Sequence, residues 1–240
     1  LAHTRKNINH PDPNDIGIYE VEYAKNKLRV YDHAYLFFPI VREHINFNAY
    51  QGKNARNYYR ESYNLAKLSL ENGEIETMLC NYPPIYQRYK YASNFKYILF
   101  DIAQDNLIFS FEIDSLIYQM NLKDSTILSF GNAGVNMKTQ YPEFQSLEDS
   151  DKHAYECRQN YGYYYNFTWV PETKTLFRNY RKRKAPSPDG LQIYKDKCLV
   201  GDIEVPREFN VFGYIDPWYY ASITPVYENE KFIIYRFKLQ

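Results

Sequence analysis

Residues 97–134 read YILFDIAQDNLIFSFEIDSLIYQMNLKDSTILSFGNAG. Three blocks in this stretch, Tyr97 to Ile102, Leu107 to Ile113 and Leu116 to Leu122, are short and rich in Ile, Leu, Phe and Tyr, which is the composition of strands. Polar clusters with turn chemistry follow the first and third blocks: Gln104-Asp105-Asn106, and Lys123-Asp124-Ser125 leading into Ile127. The order is strand, turn, strand, longer link, strand, turn, strand. Such a segment closes into a four-stranded antiparallel sheet, because hairpin turns join only antiparallel neighbours.

The same grammar recurs on both sides. Ile18 to Tyr23, Tyr163 to Val170, Tyr219 to Ile223 and Phe232 to Phe237 are further strand blocks. Lys25-Asn26, Asn72-Gly73, Glu172-Thr173-Lys174, Asp189-Gly190 and Glu228-Asn229-Glu230 are further turns. Only 9 Gly serve the chain, so Asn and Asp are expected to fill most left-handed turn positions. The segment Asn54 to Glu71 places Tyr58, Tyr59, Leu65 and Leu68 near helical spacing, but Leu68 to Ile75 parallels Met120 to Ile127, so strand is predicted there. Sheets with two apolar faces bury both by stacking around an axis. The predicted fold is all-β: a β-propeller of four-stranded antiparallel blades, with about four blades present as part of a larger ring. An N-terminal extension, 1–15, precedes a single propeller domain, 16–240, with approximate units 16–80, 81–150, 151–206 and 207–240.

Composition narrows the function classes. The 240 residues carry 29 Lys+Arg against 29 Asp+Glu, and a neutral chain is a poor general binder of nucleic acid or anionic membrane. The longest apolar run, Ala34 to Val41, is far short of the ~20 residues that span a bilayer, so no transmembrane helix is expected. The chain starts at Leu1 without a signal-peptide pattern and reads as a mature or trimmed product. Cys80, Cys157 and Cys198 are too few for a disulfide framework and read as buried free thiols, or at most one bridge. Aromatic residues make up 18% of the chain, with 27 Tyr and 15 Phe. Most of the tyrosine is expected to pack between blades.

The run 97–134, together with NYGYYYNFTWVPETKTLFRNYRKRK (160–184), resembles an uncharacterised family of propeller-like proteins from gut-dwelling Bacteroidales. The resemblance implies a six- or seven-bladed propeller, export to the periplasm or cell surface of a bacterium, and a lipid anchor upstream of the present chain. It implies no established activity and no catalytic residues.

The side chains with chemistry give no enzyme signature. The five His lack metal-binding spacing, and Glu148-Asp149-Ser150-Asp151 reads as a solvated acidic loop without the glycine and distal glutamate of a calcium hand. No nucleophile elbow, P-loop or dinucleotide-binding glycine pattern is present, so no catalytic residue, metal or cofactor is expected. The basic run Arg178, Arg181, Lys182, Arg183, Lys184 is read as the start of a solvent-facing hairpin rather than a nucleic-acid patch. Aromatic residues at strand entries, flanked by amide and guanidinium donors, suit sugar faces or a protein partner. On that ground Tyr89, Tyr91, Asn160, Tyr161, Arg178 and Trp218 are the candidate ligand-binding residues. The expectation is a non-catalytic binding module or scaffold of the cell envelope whose ligand is a glycan or another envelope protein. The alternatives are a glycan-processing or lactonase-type propeller enzyme and a purely structural subunit.

Overall fold

The structure, a computed structural model, describes residues 8–12, 18–22, 27–42, 54–89, 95–183, 186–223 and 233–239. The fold is all-β, built of antiparallel sheets of the kind that form propeller blades. The chain divides into two compact units, Leu1–Ile98 with Pro142–His153, and Leu99–Tyr141 with Ala154–Gln240. The turns expected at Lys25-Asn26 and Glu228-Asn229-Glu230 lie outside the described residues.

In the first unit, β1 (Ile8–Asn9), β2 (Ile18–Val21), β4 (Tyr35–Arg42), β5 (Tyr63–Ser69) and β6 (Ile75–Asn81) lie side by side, and β3 (Arg29–Tyr31) also pairs with β4. Strand β4 is YLFFPIVR, buried through its centre. Its first residues pair with β3 and its last with β2, and the handover falls at Phe38 and Pro39. Proline has no N–H to give to a ladder, so a change of partner costs least there. Residues Asn54–Glu61 form helix α1, which corrects the strand expected over the whole of 54–71. The helix ends where Ser62 turns its N–H and hydroxyl onto the Tyr58 carbonyl, and β5 begins at the next residue, keeping the strand half of the expectation. Tertiary packing decides the matter. Tyr58 and Tyr59 pack on Tyr82 and on Tyr86 of α2 (Ile85–Arg88), with ring centroids 5.4 Å apart for Tyr58–Tyr59, 5.2 Å for Tyr59–Tyr82 and 4.8 Å for Tyr82–Tyr86. The acidic segment expected as a loop is a short helix, α3 (Leu147–Lys152), capped by the Ser146 hydroxyl, which accepts from the Asp149 N–H.

In the second unit, β7 (Ile98–Ala103), β8 (Asn106–Phe111), β9 (Ile117–Asn121) and β10 (Ile127–Phe130) form one four-stranded sheet in sequence order. Helix α4 (Ala154–Asn160) leads into a second, of β11 (Tyr163–Val170), β12 (Thr175–Arg181), β13 (Asp189–Lys195) and β14 (Cys198–Val205). A three-stranded sheet follows, of β15 (Asn210–Ile215), β16 (Trp218–Ser222) and β17 (Ile234–Phe237). The middle sheet is buried on both faces, and alternation along β12 and β13 sorts its side chains. Leu176, Tyr180 and Tyr194 share a core with Leu99, Ile108 and Ile117 of the preceding sheet. Phe177, Leu191 and Ile193 share one with Val211, Tyr219 and Ala221 of the following sheet. Asp189-Gly190, expected as a turn, begins β13, with Gly190 directly opposite Tyr180.

Left-handed turn positions go well beyond Asn and Asp. Asp32, Asn136 and Asp196 have positive φ, but so do His33, Gln104, Ser125, Lys174, Lys197 and Glu208. All three cysteines are free thiols; Cys80 and Cys157 are buried, whereas Cys198 is exposed. No helix among the described residues is long and apolar enough to cross a membrane.

Candidate functional site

The segment after β10 sets the frame of the second unit. Residues 131–135 form no ladder and are fastened to the middle sheet by side chains. The Tyr194 hydroxyl accepts from the Asn132 N–H at 3.2 Å, and the Tyr164 hydroxyl accepts from the Gly134 N–H at 3.2 Å and donates to the Asn132 carbonyl at 3.1 Å. The Gln192 amide donates to the same carbonyl, and Asp202 accepts from the Val135 N–H at 3.3 Å and from the Tyr180 hydroxyl at 2.7 Å. Main-chain groups without a strand partner must be satisfied in some other way, and here phenols do it.

Arg178 sits in the middle of this network and is fully buried. Its Nε and Nη2 donate to the Gln192 side-chain oxygen at 3.0 and 2.7 Å, and Nη2 also reaches the Ser115 and Asn132 carbonyls, each at 2.9 Å. Nη1 donates to the Ser110 hydroxyl at 3.1 Å, and the guanidinium lies 3.8 Å from the centroid of the Tyr164 ring. This corrects the placing of Arg178 on a ligand-facing surface: its donors are spent joining two sheets. The next two residues of the basic run are committed in the same way, whereas Arg183 is exposed and Lys184 lies outside the described residues. Arg181 pairs with buried Asp189 at 3.2 Å, and Lys182, 6% exposed, pairs with Glu204 at 2.6 Å. The run is therefore buried as far as Lys182, and the solvent-facing start of the β12–β13 connection begins only at Arg183.

The other candidates are dispersed. Tyr89 follows α2 in the first unit and is partly buried, and Tyr91 lies outside the described residues. Asn160 ends α4, and Tyr161 beside it lies near Tyr141 with the Lys138 ammonium 4.5 Å from its ring centroid. Trp218 opens β16, where Arg236 and Lys238 each stand 4.3 Å from its ring centroid, so cations of the chain itself already lie over this aromatic ring.

A cleft of about 190 Å3 lies elsewhere in the second unit, at the end of the sheets where the β7–β8, β11–β12 and β13–β14 turns come together. Trp169, Phe130 and Tyr194 give it aromatic walls, above Ile108 and Leu176. Phe130 and Tyr194 meet edge to face at 5.7 Å, and the Trp169 main chain is pinned by its N–H to the buried Asp101 carboxylate at 3.1 Å. Amides supply the polar wall: Gln119 donates to the Asn106 side-chain oxygen at 3.0 Å, and Gln104 stands at the β7–β8 turn. Lys174, Asp196 and Lys197 occupy the other two turns. Gln104, Lys174, Asp196 and Lys197 have φ of 56°, 51°, 48° and 67°, values that usually call for Gly or Asn. Asp196-Lys197 forms a two-residue hairpin turn with both φ positive, where Asn-Gly is the usual choice. Long polar side chains thus stand at the cleft where a turn alone would favour glycine. The sequence marks Glu172-Thr173-Lys174 and Gln104-Asp105-Asn106 as turns but does not show that they meet at a cleft.

Burial acts on the phenols of both units. It pushes the Tyr82, Tyr164, Tyr165 and Tyr180 hydroxyls above the ordinary phenol value, with added repulsion from Asp189 at Tyr165 and from Asp202 at Tyr180. The sign follows from which state holds the proton. The unfolded chain ionises near pH ~10 while the fold keeps these phenols neutral, so their contribution is complete below pH ~10 and is lost as pH rises further. Alkaline titration is expected to give a delayed, cooperative rise in tyrosinate absorbance coinciding with loss of near-UV circular dichroism. A smooth rise near pH ~10 with the fold intact would contradict this.

Stacked four-stranded antiparallel sheets with a cleft at their turn ends define a propeller-like all-β protein. No family model matches the chain, and no curated protein matches it. Among solved structures it is similar to a member of the DUF4221 family from Bacteroides vulgatus, with 13% identity and a TM-score of 0.64 over 88% of this chain and 63% of that one. The chain therefore spans less than two thirds of its neighbour's length, and at this identity the likeness establishes the fold alone. The source of that neighbour agrees with the resemblance carried by residues 97–134 and 160–184.

Proposed function

We propose that the protein is a non-catalytic binding module of the bacterial cell envelope, exported and held there by a lipid anchor upstream of the present chain, and that its ligand is a glycan bound in the cleft of the second unit. The observation that carries the reading is the cleft wall: Trp169, Phe130 and Tyr194 facing Gln104, Asn106 and Gln119. Aromatic faces match the apolar faces of sugar rings, and fixed amides match their hydroxyls. Among its described lining residues Asp196 is the one carboxylate, whereas glycoside hydrolysis takes two, which favours binding over turnover. The envelope setting rests on the resemblance carried by residues 97–134 and 160–184.

A glycan array followed by calorimetry on the best binder tests the proposal. Trp169→Ala is expected to weaken binding at least tenfold, about 1.4 kcal/mol, while leaving the fold intact. An array without binders, or a Trp169→Ala variant that binds as well as the parent, would refute the glycan reading.

A second reading, contact with another envelope protein, is favoured by the three-stranded sheet, which exposes Phe212, Ile215 and Ile234 at 54%, 68% and 63%. Cross-linking in an envelope extract that yields no adduct through this sheet would remove it.

A further inference from the structure

We infer that the glycan carries negative charge, as a uronate carboxylate or a sulfate ester, and that Lys174 and Lys197 read that charge. The inference rests on the cleft being the glycan site.

Most described cations of the second unit already have partners. Arg158 is bound to Glu112 by two hydrogen bonds, Arg181 to Asp189, Lys182 to Glu204 and Lys123 to Asp105. Arg178 is buried among carbonyls, and Arg236 and Lys238 lie over Trp218. Lys174, Lys195 and Lys197 differ: none of the three has an ion-pair or hydrogen-bond partner among the described residues, and of them Lys174 and Lys197 line the cleft. Their placement is built rather than incidental. The ladder pairs Thr175 with Lys195, so Lys174 comes alongside the Asp196-Lys197 turn, and both lysines are held in left-handed backbone. Against them the cleft sets the single carboxylate of Asp196, leaving an excess of one positive charge in a chain whose net charge is zero.

Size sharpens the class. About 190 Å3 is below the ~300–1,000 Å3 of sites for drug-sized ligands, so the cleft takes roughly one sugar ring, whose charged substituent lies within reach of the turns. Lysine is a mobile point charge rather than a bidentate fork, which suits an anion whose position varies from one sugar to another. Such a contact is partly exposed and must weaken with salt.

The test uses the full chain on an array with three arms: neutral glycans, uronate-bearing glycans and sulfated glycans. The best acidic binder is then compared by calorimetry with its carboxyl-reduced or desulfated form. The expected result is binding confined to the acidic arms, a drop of about tenfold on removing the charge, and a drop of the same size for the acidic sugar in Lys174→Gln/Lys197→Gln. Which acidic arm responds separates carboxylate from sulfate. Binding to neutral glycans as tight as to acidic ones would overturn the charge inference and leave the glycan site standing. An array empty in all three arms would overturn both.

Discussion

Arg178→Ala is expected to destabilise the second unit by about 4 kcal/mol, read as a shift in the urea midpoint followed by near-UV circular dichroism. The side chain is fully buried and its guanidinium donates to Gln192, Ser110 and the carbonyls of Ser115 and Asn132. Truncation leaves these acceptors without their donor inside a packed interface, at ~1–3 kcal/mol for each one that water does not reach, and opens a cavity beside Tyr164. Arg178→Lys keeps the charge but cannot reach three directions at once, so it should lie between the parent and the alanine variant. A change below about 1 kcal/mol for Arg178→Ala would mean that the network is not what joins the two sheets.

Gly190→Ala should be nearly as damaging, by about 3 kcal/mol. A methyl at this position would meet ring atoms of Tyr180 well inside 3.0 Å, and a methyl at Gly134 would meet the same ring. The ring cannot swing aside, because its hydroxyl is tied to Asp202 at 2.7 Å. Direct contact between the two sites makes their effects non-additive. In a Tyr180→Leu background, itself destabilised, adding Gly190→Ala should cost less than 1 kcal/mol. Additive losses in the double variant would place the damage in the β13 backbone instead of the ring.

What could be read in advance follows from what each signal depends on. The strands of 97–134 are legible because the signal is local: a short block of branched and aromatic residues bounded by turn residues marks a buried strand in its own sequence, and Ile98–Ala103, Asn106–Phe111 and Ile117–Asn121 fall within a residue or two of those blocks. Asn54–Glu61 was misread because its helix is held by Tyr82 and Tyr86, which lie beyond any local window. Arg178 was misread for a different reason. In the run Leu176-Phe177-Arg178-Asn179-Tyr180 each face carries large apolar or aromatic side chains, Leu176 and Tyr180 beside Arg178 on one and Phe177 on the other, and a strand packed on both faces must bury the polar side chains between them. That signal was present and outweighed by the row of basic residues after it. The cleft could not be found from one strand at all, because its turns come from two stacked sheets. Its trace in the sequence was Lys174, Asp196 and Lys197 standing at turn positions in a chain with 9 Gly.

The phenol-fastened segment at 131–135 bears on how alike sheets find their order. A β ladder is indifferent to sequence, since any strand offers the same repeating N–H and carbonyl groups, and oily faces adhere with little discrimination. Tyr164, Tyr194, Gln192 and Asp202 recognise one particular peptide in one position, as a lock recognises its key. The connector leaving the first sheet of the second unit thereby names its neighbour, and a swapped or shifted stacking of these interchangeable layers would leave that lock empty.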